Sequence, residues 1–160
     1  MRYLTIDELI YINGIVLNNR RILEGEQQIR DIDLLDAAVA RPMSSAFGQD
    51  GYATIQQKAT ALLHSVARNH PFADGNKRTA TVAAIFMLAV NGLRVNWEAA
   101  EALALILAVA QGKGDMMDFA NWLPLERHEP ALEPDAGRDK AMIERIVTDH
   151  RWLLDELDRQ

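Results

Sequence analysis

Nine consecutive residues, His70-Pro71-Phe72-Ala73-Asp74-Gly75-Asn76-Lys77-Arg78, gather a base, a hard oxygen ligand, a permissive backbone and two cations. Histidine titrates near neutrality without perturbation, so His70 can take the proton from an attacking hydroxyl. Asp74 supplies the oxygen that suits Mg2+, an ion held through one or two carboxylates together with substrate phosphates. Gly75 lets the main chain approach a ligand closely. Asn76 can cap a helix or donate to an anion. Lys77 and Arg78 add positive charge where a helix begins, although helix starts favour acids; such a placement makes sense when an anion sits among them. A base, a metal ligand and an anion cradle are the parts of phosphoryl or nucleotidyl transfer. Taken singly, the histidine reads as structural, Asp-Gly-Asn as a turn and Lys-Arg as solvated surface. Their conjunction is what points to chemistry.

The elements that must hold this segment are helical almost throughout. Thr5 with Glu8 forms a capping-box pattern opening a helix through Leu17, with Asn18, Asn19 and Gly25 punctuating its end. A second helix is expected from about Asp31 to Arg41, stopped by Pro42, with Asp31 or Asp33 at its positive end. Residues 43–53 hold two glycines and no sustained period, and predict an exposed loop or short hairpin. A third helix, about Thr54 to Arg68, presents Ile55, Ala59, Leu62, Leu63 and Val66 on one face. The polar turn Asn69–Lys77 then leads into Arg78–Asn91, which has no polar face from Val82 to Val90; a helix apolar all round must be surrounded by others. Gly92 should end it. Further helices are expected at about Trp97–Gln111, with Ala102, Leu103, Leu105, Ile106 and Val109 inward, and near Asp115–Leu123. Leu125–Gly137 reads as a linker or ordered tail, and 138–157 as one amphipathic helix with Ile143, Ile146, Val147, Leu153 and Leu154 as its stripe. The expectation is an all-α bundle around a central buried helix, with one irregular excursion before the third helix.

With 160 residues, 49% of them hydrophobic and 25% charged, the composition is that of one ordinary globular domain. The absence of cysteine excludes disulfides and thiolate zinc sites. Asp7 and Glu8 stand where a secretory leader would be apolar, and the longest uncharged run, Thr79–Leu93, is shorter than the ~18 residues of a membrane span. These features predict a cytoplasmic protein without membrane attachment. Ten acids against six bases in 126–160 account for about −4 of the net charge of −6. No basic footprint suggests direct nucleic-acid binding.

The segment His70–Arg78 resembles the Fic motif, His-Pro-Phe-x-Asp/Glu-Gly-Asn-Gly/Lys-Arg, and the resemblance to the Fic/Doc family extends over roughly 1–125, including Arg41-Pro42, the stretch Phe47–Tyr52 and Asn91-Gly92. It implies the Fic/Doc helical bundle for 1–125, with 126–160 as an acidic linker and helix added to it. It also implies roles: His70 as general base, Asp74 as the Mg2+ ligand, Gly75 as a shaper of the backbone, and Asn76 and Arg78 as phosphate holders. Lys77 would set nucleotide orientation, and Phe72 would anchor the loop in the core. The flap residues Phe47, Gly48, Gln49, Asp50, Gly51 and Tyr52 would align a protein target by strand-like pairing.

Lys77 stands where the AMP-transferring branch has glycine and is typical of Doc (death-on-curing) toxins. A lysine there re-charges the space in which an α-phosphate would lie. The Doc resemblance implies a kinase of a toxin–antitoxin system, using ATP and Mg2+ to phosphorylate a threonine of elongation factor Tu and so arrest translation. Gly75 departs from Doc, which often has alanine before the asparagine, and matches Fic enzymes. A nucleotidyl transferase is therefore the second reading, and a non-catalytic antitoxin-binding module the third. The self-inhibitory pattern Ser/Thr-x-x-x-Glu-Gly/Asn of some Fic proteins finds only Glu24-Gly25, with Arg20 where a hydroxyl is required. Inhibition by a separate antitoxin protein is the expectation, while the acidic tail could dock a partner, add a helix or screen the active site. His64 is expected in packing or behind the site, His128 and His150 on the surface, and Trp97, Trp122, Trp152 and Met116-Met117 in packing.

Overall fold

The computed structural model describes residues 1–160. The Thr5 hydroxyl accepts from the Glu8 N–H at 3.2 Å while the Glu8 carboxylate accepts from the Thr5 N–H at 2.9 Å, the reciprocal box expected from sequence. It opens α1 (Ile6–Leu17), which ends at Asn18 in the left-handed conformation. Asn19 caps a further short helix, α2 (Arg20–Leu23), one turn long and unannounced by any periodicity. The Asp31 carboxylate caps α3 (Ile32–Ala40), and Pro42 sits in a 3-10 turn, Arg41–Met43. The irregular stretch is a hairpin: β1 (Ser45–Ala46) pairs with β2 (Gln49–Asp50), Ser45 opposite Asp50. Its two turn residues, Phe47 and Gly48, have φ of 54° and 77°, the positive values that a two-residue hairpin turn favours.

Thr54 caps α4 (Ile55–Asn69). Then comes α5 (Asn76–Val90), in which every residue except Lys77 and Arg78 is buried. It is the central helix that its sequence demanded, in its most extensive contact with α4. Its two unburied residues both belong to the motif. After α5 the chain departs from expectation. Leu93–Val95 forms β3, which pairs antiparallel with β4 (Leu125–Arg127), Leu93 opposite Arg127 and Val95 opposite Leu125. The stretch read as a linker from Leu125 therefore begins as a strand. Between these strands lie α6 (Ala99–Ala110), capped by Glu98, and α7 (Met116–Trp122), capped by Asp115.

The expected helix over 138–157 is two helices, α8 (Ala136–Asp149) and α9 (Arg151–Asp158), separated at His150. Ile143, Ile146, Val147, Leu153, Leu154 and Leu157 join the same apolar core as Leu9, Leu35 and Phe86. Trp97 stacks on Trp122 with centroids 6.0 Å apart and meets His150 edge-on at 5.8 Å. His150 is thus half-buried against Trp97, not a surface residue. Trp152, expected in packing, is 51% exposed. A buried ion pair ties the tail to the start of the chain: Arg2 reaches Asp139 at 2.6 Å and Glu8 at 2.7 Å. No helix is long and apolar enough to cross a membrane.

Candidate active site

The motif forms the corner between α4 and α5. His70 caps α4 with φ 53°, a left-handed conformation uncommon for a non-glycine residue. Phe72, 1% exposed, drives into the core and anchors the loop, as the sequence implied. Residues 28–31 brace the corner from outside. Pro71 O accepts from the N–H groups of Arg30 and Asp31 at 2.8 and 3.0 Å, and Gln28 O accepts from Ala73 at 3.0 Å. The Arg30 guanidinium also donates to the carbonyls of His70 and Asn69, at 2.6 and 2.8 Å.

From inside, Asn13 of α1, 1% exposed, donates to the Asp74 carbonyl at 2.9 Å and to the Thr79 hydroxyl at 3.1 Å. Neither Arg30 nor Asn13 was singled out from sequence. The only sequence-level signal is a polar residue, Asn13, on an otherwise apolar helical face.

Asn76 has a structural role beside the phosphate-holding one its motif position implied. Its side-chain oxygen accepts from Phe72 N–H at 2.9 Å and its nitrogen donates to Phe72 O at 3.0 Å. The oxygen and one N–H of the amide are committed to the loop, so this residue sets the corner's shape and keeps its second amide N–H and its main-chain N–H for an anion. The N–H groups of Asn76, Lys77 and Arg78 find no acceptor within the protein. They are the orphan donors of a helix start, and they coincide with the positive end of the dipole. Phosphate fits such a terminus.

Gly75 stands at the close approach, with φ 73°. A Cβ there would lie 2.9 Å from Leu17 Cδ2. Leu17 can shift somewhat, but the left-handed backbone penalises any larger residue. Gly75→Ala is expected to destabilise the fold by about 1–2 kcal/mol in urea unfolding and to weaken nucleotide binding. Unchanged stability together with unchanged binding would show that the corner does not need this conformation.

Asp74 Oδ1 accepts from Gly75 N–H at 2.7 Å, which aims the exposed carboxylate and leaves its other oxygen for a ligand. No cluster of three or more metal-binding side chains exists in the protein. A lone, oriented carboxylate fits Mg2+, which keeps waters and shares its coordination with substrate phosphates. It does not fit a metal that requires an all-protein cage.

His70 is exposed, and its side chain makes no hydrogen bond within the protein. Partial burial, then the charges of Lys77, Arg30 and Arg68, hold its imidazole below the ordinary histidine value. The neutral, proton-accepting form therefore predominates at neutral pH. Asp74, Gly75, Asn76, Lys77 and Arg78 line one small cleft of about 80 Å³, whose other wall is Leu157, Asp158 and Gln160 of the acidic tail. Larger hollows exist, including one of about 470 Å³ between α6 and α7. That one contains no histidine, serine or threonine, and the chemistry favours the motif.

The flap is anchored at its base and free at its tip. Arg41 donates to the Tyr52 hydroxyl at 2.8 Å and lies over its ring. Lys58, itself buried, donates to Pro42 O at 3.1 Å and approaches Asp50 at 3.6 Å. Arg41 also contacts His64 Nδ1 at 2.6 Å. A guanidinium can only donate, so this nitrogen accepts and His64 carries its proton on Nε2. Burial, with Arg41 and Arg68 nearby, keeps His64 below its ordinary pKa. It supports the flap from behind, in keeping with the packing role expected for it. Gln49, Asp50, Gly48 and Phe47 stand exposed at the outer end.

Over 71 residues the chain is 54% identical to a protein named Toxin Doc from Mycolicibacterium smegmatis, a match covering 44% of this chain and 55% of that protein. The chain therefore spans about half the length of the curated relative it matches. No solved structure matches. The family model described as Fic/DOC family matches residues 3–88, more than half of the chain, and includes the whole corner from His70 to Arg78. With the motif, its helix–corner–helix setting and this match in agreement, the chain belongs to the Fic/DOC family.

Proposed function

We propose that the protein is the toxin of a toxin–antitoxin system and a kinase acting on a translation factor like elongation factor Tu, with 1–125 as the catalytic domain and 126–160 as an acidic addition. The observation that carries this reading is Lys77, at the anion-binding start of α5 within an otherwise intact motif. The similarity to a protein named Toxin Doc supports it. The site is on the surface of a chain with no membrane-crossing helix, which suits work in the cytoplasm on a soluble protein and inhibition by a cognate antitoxin.

In this reading the ATP phosphates lie against the three orphan N–H groups at the start of α5, flanked by Lys77 and Arg78. Asp74 would hold Mg2+, which would supply charge neutralisation for those phosphates. His70 takes the proton of the target hydroxyl as its oxygen bonds to the γ-phosphorus. The bond from that phosphorus to the bridging oxygen breaks, and ADP leaves with the electron pair. Asn76, Asn13 and Arg30 hold the corner rigid, so base and cradle keep their spacing. Phe72 anchors it.

The flap residues Phe47–Tyr52 dock the target. Phe47 is fully exposed, at 105%, on a hairpin tip with positive φ. A large apolar side chain presented to water at the tip of a hairpin is a fitting anchor for a protein partner. Phe47→Ser is expected to raise KM for the protein target about 10- to 30-fold, as loss of an aromatic anchor does. KM for ATP should stay unchanged. An equal effect on both would remove the flap from target recognition.

Gly75 favours a second reading, AMP or other nucleotidyl transfer, because it is the residue that Fic enzymes carry before the asparagine. ATP labelled at the γ- or the α-phosphate separates the two. Label on the translation factor from γ-labelled ATP alone supports the kinase. Label from α-labelled ATP supports nucleotidyl transfer. Binding of ATP or antitoxin without any transfer would favour a non-catalytic module.

A further inference from the structure

The sequence led us to expect inhibition by a separate protein, yet the chain lays part of itself over the anion cradle. Leu153, Leu154 and Leu157 of α9 are each no more than 2% exposed, so the body of that helix is fixed in the core. Beyond Leu157 the chain crosses the start of α5. The Asp158 carboxylate accepts from Arg78 at 2.9 Å, and the main-chain oxygen of Gln160 accepts from Lys77 at 3.4 Å. Leu157, Asp158 and Gln160 wall the cleft, leaving it about 80 Å³. Sites for drug-sized ligands typically offer about 300–1,000 Å³.

We propose that the last turn, Asp158–Gln160, is a built-in cover that competes with nucleotide phosphates for Lys77 and Arg78. This inference rests on the reading of the cleft as the nucleotide-phosphate site. Two cations at the positive end of a helix call for an anion, and in the closed form Asp158 supplies it. The cover is loosely held. Its own bonds are long, 3.2 Å from Arg159 N–H to Glu156 O and 3.4 Å from Gln160 N–H to Leu157 O. The Asp158 side chain is 58% exposed, so water and ions compete for it. So loosely bonded a turn can lift while Leu157 stays buried. Apparent nucleotide affinity is then the intrinsic affinity reduced by the fraction of open molecules.

The test is titration of ATP with Mg2+ into the unaltered chain, Asp158→Ala, and a chain shortened after Leu157. The two altered forms keep every core residue of α9. Both are expected to bind ATP about three- to tenfold more tightly, the range set by a cover closed roughly 70–90% of the time. Asp155→Ala, which removes an equal charge from the same helix, should leave affinity unchanged. In an Arg78→Ala background, the Asp158→Ala gain should vanish. Equal affinity in all forms that bind ATP would overturn the cover and leave the cleft reading intact. Failure of every form to bind ATP, the shortened chain included, would overturn the cleft reading and the cover with it.

Discussion

His70→Ala is expected to lower phosphoryl transfer by about 10²–10⁴-fold, the usual contribution of a positioned general base, with the fold intact. The fold should survive because the imidazole is exposed and bonds to nothing; what matters structurally at position 70 is the main chain, whose carbonyl accepts from Arg30. Alanine at a left-handed position adds strain of about 1 kcal/mol, too little to unfold an ordinary domain. The pH dependence provides a second check. Burial and the Lys77, Arg30 and Arg68 charges depress the His70 pKa below 6.5. The base acts when neutral, so activity should rise with pH through an apparent pKa below that value and be level by neutrality. The histidine-dependent limb should disappear in the variant. A soluble, folded His70→Ala protein with full activity would remove His70 from the mechanism.

Asp139→Ala is expected to cost about 3 kcal/mol of stability, at the lower end of the range for breaking a buried ion pair. Arg2 is 5% exposed, and its guanidinium bonds both Asp139 oxygens and the Ala131 carbonyl. Glu8 continues to pair with Arg2 at 2.7 Å in the variant, which moderates the loss. The pair also sets a pH response. Burial disfavours the Asp139 carboxylate, but bonds from Arg2, the Asp135 N–H and Arg138 prevail and hold its pKa below the ordinary value. A depressed folded-state pKa contributes stability above the unfolded value, near 3.9, and that contribution fades as pH falls through the folded value. The wild type should therefore lose more stability on acidification below about pH 4 than the variant does. Urea unfolding across that range measures both. Equal slopes would mean that the pair adds nothing.

The sequence announced the elements whose signals are local. Thr5 with Glu8, Asp31, Thr54 and Asp115 each cap a helix, because a short side chain with an oxygen answers the orphan N–H groups two or three residues on. The unbroken apolar run of α5 required burial on every side. The motif was legible because its residue types are chemically unusual together. What it could not show was how its parts divide the work. Asn76 reads from sequence as a cap or an anion donor, and folding adds that its amide oxygen and one N–H hold Phe72.

Other misses have physical causes of the same kind. The β3 and β4 strands are three residues each, too short to show a period, and their partners lie about thirty residues apart. The break at His150 interrupts the backbone for one residue while the apolar stripe continues on both sides. Arg2 and Asp139 meet across a sequence separation of 137. Asn13 and Arg30 act on the corner from separate parts of the chain. The acidity of the tail was plain, but only folding brings Asp158 to Arg78.

We propose that the corner at the start of α5 transfers the γ-phosphoryl group to a protein hydroxyl with His70 as base. The decisive measurement is intact-mass spectrometry of elongation factor Tu after incubation with ATP, Mg2+ and either the wild type or His70→Ala. A gain of about 80 Da with the wild type, the mass of one phosphoryl group, and none with the variant is the predicted result. A gain of about 329 Da would instead mean transfer of AMP, and would contradict the kinase assignment drawn from Lys77.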